Sequence, residues 1–252
     1  MVSVLGAFCV IAAAWAYALP SFPYSALLGL MFHMWWHVLD GVDGDLARIT
    51  GKASPSGEVV DGLCDYLGHI VLYVTLAWLL SVTMGSAAWW WTLAAGLSNA
   101  LQSNHAEVQR RQYQHWVYGT PWLRQSHTAG SSTAKSALGH LVSLYLAAGN
   151  RLTPHAPQID EAISAAANDA QRLQQIRTTI KAETAPLLLL HKVLGSNPRT
   201  IVLGGAMLAG GPGWHGALYY CIYQSLFLNV LLLISVRAHN MTARRIVAAI
   251  AQ

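Results

Sequence analysis

Six apolar runs divide this chain, at residues 2–19, 25–39, 59–82, 87–101, 200–211 and 217–236, and three of the five connections between them carry no charge at all. Residues 20–24, 83–87 and 210–216 contain no Lys, Arg, Asp or Glu. Most of the runs approach the ~20 residues that an α-helix needs to cross a bilayer. The chain is 54% hydrophobic and only 10% charged, against roughly 25% charged in an average soluble domain. These features predict an all-α integral membrane protein with six transmembrane helices. The run at 200–211 spans about 18 Å at ~1.5 Å per residue. It must borrow from residues 197–199 or sit in thinned bilayer.

Short loops rich in Lys and Arg stay on the cytoplasmic side. With six spans, Arg48 and Lys52 fall in the second connection, Arg110 through Arg199 in the fourth, and Arg237, Arg244 and Arg245 after the last span. All fifteen basic residues then share one face. Five spans would carry Arg244 and Arg245 to the other side. Trp89, Trp90, Trp91 and Trp214 stand near the uncharged side, and Trp116 and Trp122 near the basic one, as interfacial aromatic belts do. A secretory signal peptide is the competing reading of residues 2–19, because Ala-Tyr-Ala resembles a cleavage site. No basic residue precedes that run, and removing it would reverse the parity of the charges.

The calculated pI of 9.1 reflects the basic face and suits an anionic lipid surface; no nucleic-acid motif is present. Cys9, Cys64 and Cys221 lie in or beside spans without C-x-x-C spacing, so they read as free buried thiols. Between the fourth and fifth spans the chain turns polar over about residues 105–196, a cytoplasmic insertion in what is otherwise a single membrane domain, 1–252. Residues 132–148 have the apolar spacing of an amphipathic helix. Residues 159–185, rich in Ala and Gln, read as one solvated helix ended by Pro186.

The chemistry is concentrated at residues 40–65, which hold six of the eleven carboxylates. Asp40 and Asp43 are three residues apart and Asp61 and Asp65 four apart, so each pair shares a helical face. With one helix ending near Thr50 and the next beginning near Gly57, all four point inward at one depth beneath the cytoplasmic interface. Bare, they would repel one another and take up protons. Two divalent cations would neutralise them and leave room for phosphate oxygens, the arrangement used for in-line phosphoryl displacement. Gly44, Ala47 and Gly57 strip the same face of bulk, so something flat can enter. Arg48 supplies a guanidinium that grips a phosphate bidentately. A pyrophosphate-bearing nucleotide meets these demands.

Asp40-x-x-Asp43-Gly44-x-x-Ala47-Arg48, eight residues, then Gly57-x-x-x-Asp61-x-x-x-Asp65 resembles the complete signature of the class I CDP-alcohol phosphotransferases (CDP-alcohol phosphatidyltransferases), membrane enzymes of phospholipid synthesis. The signature covers residues 40–65; over the rest of the chain the resemblance is one of topology. It implies displacement at the β-phosphorus of a CDP-linked substrate with CMP as leaving group. Asp40, Asp43, Asp61 and Asp65 would be metal ligands, and Asp65 also the general base toward the acceptor hydroxyl. Gly44, Ala47 and Gly57 would make room for the cytidine and Arg48 would hold the diphosphate. The implied cofactor is Mg2+ in a two-metal site, with Mn2+ able to substitute. A homodimer, membrane lipids as surroundings and the bacterial inner membrane, with a cytoplasmic active site, complete the expectation. Family members usually carry a short amphipathic helix before the first span, whereas this sequence starts almost directly with it.

The acceptor is less constrained. Arg110 and Arg111 beside Asn104, His105 and Glu107, with Arg199 before the fifth span, could cradle an anionic head group such as a phosphorylated polyol; equally, they could only mark the inner interface. His33, His37 and His69 lie near the aspartates and read as hydrogen-bonded core histidines ahead of metal ligands. Asp45 and Glu58 read as solvent-facing. The acid spacing excludes an EF-hand. The glycine pairs 204–205 and 210–211 read as helix-packing positions. CDP-diacylglycerol with a soluble alcohol is the first expectation for the substrates, and a CDP-activated head group passed to a lipid hydroxyl uses the same site. Two other classes compete. A divalent-cation transporter would want acids through the membrane depth, and here they are confined to one side. A membrane prenyltransferase would show adjacent aspartates of D-D-x-x-D type, which are absent.

Overall fold

A computed structural model describes residues 2–50, 55–120, 152–212 and 215–250. Every regular element among them is helical. In chain order they are α1 (Val2–Tyr17), α2 (Tyr24–Ile49), α3 (Pro55–Met84), α4 (Ala87–Tyr118), α5 (Ala156–Ala165), α6 (Ala170–Thr184), α7 (Leu188–Val193), α8 (Ser196–Ala209), α9 (His215–Ile222) and α10 (Leu228–Ile250). A 3-10 turn at Ala185–Leu187 joins α6 to α7, and a π-helical turn at Tyr223–Phe227 carries α9 into α10.

Each of the six apolar runs is helical. Among the described residues two stretches, Cys64–Met84 and His215–Ile250, are long and apolar enough to cross a membrane, and α1 is a shorter apolar helix. Only 33% and 28% of the apolar windows in those two stretches is buried inside the protein. A core helix of a water-soluble protein would bury most of such a window, so their outward apolar faces fit a lipid surrounding. Trp78, Val82 and Leu233 are among the side chains on those faces.

The chain forms two compact units. The first contains residues 1–100 and 196–228. In it α1 packs on α2 and α3, and α8 packs on α2 and α9. Small residues permit the close approach, since lipid offers no hydrophobic drive between apolar helices. Ala13 and Ala14 of α1 are buried, and Gly29 of α2 lies so close to Tyr17 that a Cβ there would stand 2.4 Å from its ring. Gly204 of α8 lies against Leu30 in the same way, with contacts of 2.6 Å, whereas Gly205 faces open space. Of the glycine pairs, Gly204 and Gly210 therefore serve close packing, and Gly205 and Gly211 do not. Gly85 ends α3 with φ +56° and donates its N–H to Ser81 O at 3.0 Å. This left-handed helix cap suits a residue without a Cβ.

The second unit contains residues 101–195 and 229–252. Its core gathers Trp116, Ile159, Ile176, Ile180 and Ile246. The Trp116 indole N–H donates to Asp160 Oδ1 at 2.7 Å, satisfying the one donor that the ring brings inside. The single solvated helix expected at residues 159–185 is instead two helices. Asp169, in extended conformation, caps α6 by accepting the Arg172 N–H at 2.9 Å, and this local bond competes with continued helix from α5. Ile176 and Ile180 make α6 a packed helix with one buried face. Pro186 lies inside the 3-10 turn, so α6 ends just before it at Thr184 and the coil continues beyond it as α7. The amphipathic helix expected at residues 132–148 lies outside the described residues, as do Lys52, Trp122 and Trp214. Cys9, Cys64 and Cys221 are free thiols.

Candidate active site

Helices α2 and α3 carry all four signature aspartates on helical backbone. α2 ends at Ile49, where the Leu46 carbonyl accepts both the Thr50 N–H at 2.9 Å and the Thr50 hydroxyl at 2.7 Å. α3 restarts at Pro55, whose fixed φ suits a first helical turn. The aspartates therefore sit two to three turns inside the facing ends of consecutive helices. Gly41 and Gly62, beside Asp40 and Asp61, have open space where a Cβ would stand, so the surface next to the acids is not crowded by the described residues.

Asp40 and Asp65 are half-buried. Asp65 Oδ1 accepts the indole N–H of Trp36 at 2.8 Å. Trp36 is only 3% exposed and lies one turn before Asp40, on the same face of α2. The side chains of Asp43, Gly44, Asp45, Ala47 and Arg48 on α2, and of Gly57, Glu58 and Asp61 on α3, lie outside the described residues. Among the described side chains no three His, Cys, Asp or Glu groups gather around a metal position. The chemistry of the donors nonetheless fits a hard divalent cation, since carboxylate oxygens are what magnesium takes and consecutive helices supply them in pairs.

The three histidines surround Trp36. Ring centroids of His37 and His69 lie 4.3 and 4.8 Å from the indole, and that of His33 lies 5.6 Å away. His69 Nδ1–H donates to the Asp65 backbone carbonyl at 2.8 Å; a carbonyl only accepts, so the proton is on Nδ1. The Thr200 hydroxyl donates to Ser196 O at 3.4 Å, so His37 Nε2–H is the donor to Thr200 Oγ1 at 2.8 Å. His37 and His69 are thus hydrogen-bonded, as expected, and half-buried, whereas His33 departs from the expectation that all three are hydrogen-bonded. His33 is buried, and neither ring nitrogen has a hydrogen-bond partner among the described residues. Trp36 and Thr200 carry no motif that marks them. The only sequence cue for Trp36 is its position one turn ahead of Asp40.

Arg199 belongs to the same unit as the aspartates and is 3% exposed. Its guanidinium donates to the side-chain oxygen of Asn99 and, at 3.3 Å, to the Asn99 carbonyl. The phenols of Tyr73, Tyr220 and Tyr223 stand near it. Arg110 and Arg111 belong to the second unit and converge on Glu107: Arg110 Nε and Nη2 donate at 2.8 and 2.7 Å, and Arg111 Nε at 2.5 Å. Burial alone would push the Glu107 carboxyl up, but hydrogen bonds from Arg110 and the charges of both arginines hold it at about 2. Glu107 offsets one of the two positive charges.

A family model described as CDP-alcohol phosphatidyltransferase matches residues 1–149, more than half of the chain. No curated protein and no solved structure matches it.

Proposed function

The chain belongs to the CDP-alcohol phosphatidyltransferase family, and from that premise we propose that it moves a phosphatidyl group from CDP-diacylglycerol to the hydroxyl of a polar alcohol, releasing CMP. The family establishes a transferase acting on CDP-alcohols. The observation that carries the reading further is the placing of the complete aspartate set on the facing ends of α2 and α3, with Asp65 held by a buried donor.

The bond bookkeeping is simple. The acceptor oxygen forms a bond to the β-phosphorus, the bond from that phosphorus to the bridging oxygen of CMP breaks, and the hydroxyl proton passes to the Asp65 carboxylate. Asp40, Asp43 and Asp61 would hold Mg2+ together with Asp65, and Mn2+ could replace it. When bound, the cations neutralise the diphosphate charge and the charge that develops on the leaving oxygen. By the family resemblance Arg48 would orient the diphosphate, and Gly44, Ala47 and Gly57 would make room for the cytidine. A water that reached the phosphorus first would waste the donor, so a partly buried Asp65 serves the transfer.

The six-span topology belongs to the same proposal. It accounts for six apolar helical runs, puts every basic residue on one face, and sets the aspartates just inside the cytoplasmic interface. The polar insertion at about 105–196 then lies in the cytoplasm. Arg199 is the first candidate to meet an anionic acceptor, being a buried cation in the unit that holds the aspartates. Arg110 and Arg111 are second candidates, with one charge between them already matched by Glu107. A homodimer is proposed from the family alone.

Purified protein with magnesium, offered CDP-diacylglycerol and in turn glycerol 3-phosphate, inositol, inositol phosphate and serine, is expected to release CMP with one of them. Release only from CDP-choline or CDP-inositol with a lipid alcohol would reverse the donor assignment.

A further inference from the structure

Trp36 is a side chain whose position no part of the signature explains. It is buried on α2, its only polar atom is the indole Nε1–H, and that atom is spent on Asp65 Oδ1, twenty-nine residues away on α3. An indole N–H donates and never accepts. Oδ1 therefore faces a fixed donor.

The ring that delivers this donor is itself fixed. His37 and His69 stand at 4.3 and 4.8 Å, the latter edge-on at 75°. Both are immobilised by their own hydrogen bonds, His37 to Thr200 on α8 and His69 to the carbonyl of Asp65. From the third side α1 presents Gly6, where an added Cβ would come within 3.2 Å of Trp36 Cδ1. The indole is wedged by α1 and α3 besides its own helix, and α8 backs it through the His37–Thr200 bond, so its rotamer is settled before any substrate arrives. A carboxylate rotates freely about its last torsion unless something holds it, and catalysis is sensitive to that angle.

We propose that Trp36 is a positioning residue for Asp65: its indole N–H fixes the rotation of the carboxylate that serves the transfer, and His37 and His69 hold the indole. The inference rests on the reading of Asp65 given above. It predicts a loss in kcat much larger than the change in KM, because substrate is gripped elsewhere while Asp65 acts at the reacting oxygen.

The test uses the full-length protein in detergent or liposomes and compares wild type, Trp36→Phe and Asp65→Asn. Trp36→Phe keeps an aromatic ring and removes the donor. Expected are a 10- to 100-fold fall in kcat, by analogy with the loss of one oriented group, a KM for the CDP donor within about threefold, and an unchanged melting temperature within a few degrees. A readout independent of turnover accompanies this: the indole 15N–1H resonance of Trp36, identified by its loss in Trp36→Phe, should move in Asp65→Asn. Should Trp36→Phe fold poorly, 3-benzothienylalanine at position 36 keeps the shape of the ring without the N–H. Unchanged kcat in either donor-free variant, with Asp65→Asn inactive, overturns the positioning role alone. Full activity in Asp65→Asn, or no CMP release by wild type with any CDP donor, overturns the catalytic reading and the positioning role with it.

Discussion

Trp36 of α2 and Asp65 of α3 are joined by a 2.8 Å hydrogen bond from the indole N–H to Oδ1, a link between the two helices that carry the whole signature. It lies one turn from Asp40 and directly on Asp65, so whatever moves α2 against α3 is felt by the carboxylates.

Removal of divalent metal should stop turnover without unfolding the protein. Four carboxylates left bare would repel and take up protons, so chelation with EDTA is expected to eliminate CMP release, magnesium to restore it fully and manganese in part. Turnover that persists after exhaustive chelation would argue against a metal-bound aspartate set.

The two adjacent glycines of α8 should respond with opposite sign. Gly204→Ala forces a methyl group to within 2.6 Å of Leu30, an overpacking that costs roughly 1–3 kcal/mol. Gly205→Ala meets open space and should stabilise by about 0.5–1 kcal/mol, because a helical glycine is replaced by the best helix former. Thermal unfolding of the two variants in the same detergent decides between them. Equal effects would mean that α8 is rotated from the position described.

Acidification should weaken the second unit over two windows that overlap near pH 4. Burial, aided for His105 by the neighbouring His191, lowers the pKa of both histidines to about 4. The unfolded chain takes up these protons near 6.5 and the folded one does not, so their contribution is intact above about 6.5 and is lost as pH falls toward about 4. Glu107, held at about 2, contributes stability present above its ordinary value near 4.5 and lost between there and about 2. Melting temperatures followed against pH should therefore fall in both windows. His191→Asn should flatten the upper stage and Glu107→Gln the lower, each by a few degrees; Glu107 is about a third exposed, so screening keeps its share to about 1 kcal/mol or less.

Arg199 should matter to the acceptor. Arg199→Gln retains hydrogen-bonding capacity toward Asn99 but removes the charge. An anionic acceptor is expected to lose at least tenfold in affinity, a charge-assisted bond being worth about 1.5–3 kcal/mol, while KM for the CDP donor changes little. Equal KM values for the acceptor in mutant and wild type would leave Arg199 a structural residue.

Much of this was legible from residues alone, and the reason differs by element. Apolar length announced the helices, because a span has few ways to satisfy its backbone other than as a helix. The aspartate spacing pointed to helix, because three- and four-residue intervals pair side chains on a helical face, and residues 40, 43, 61 and 65 do stand on helical backbone. Other elements turned on choices between close alternatives. Residues 159–185 look continuous by composition, yet the Asp169 cap breaks them into α5 and α6. α4 runs on to Tyr118, well past its apolar part, and the Glu107 pairs with Arg110 and Arg111 at helical spacing favour that extension. The Trp36–Asp65 bond joins positions that only the packing of α2 on α3 brings together, and no local pattern encodes it.

The role proposed for Asp65 is tested most directly by CMP release from wild type and Asp65→Asn, measured with magnesium, CDP-diacylglycerol and the acceptor panel, alongside binding of the CDP donor. It predicts acceptor-dependent release by wild type and a loss of at least 10²-fold in Asp65→Asn, the usual worth of a general base, with donor binding still measurable. Equal release by the two proteins would contradict it and remove Asp65 from the mechanism.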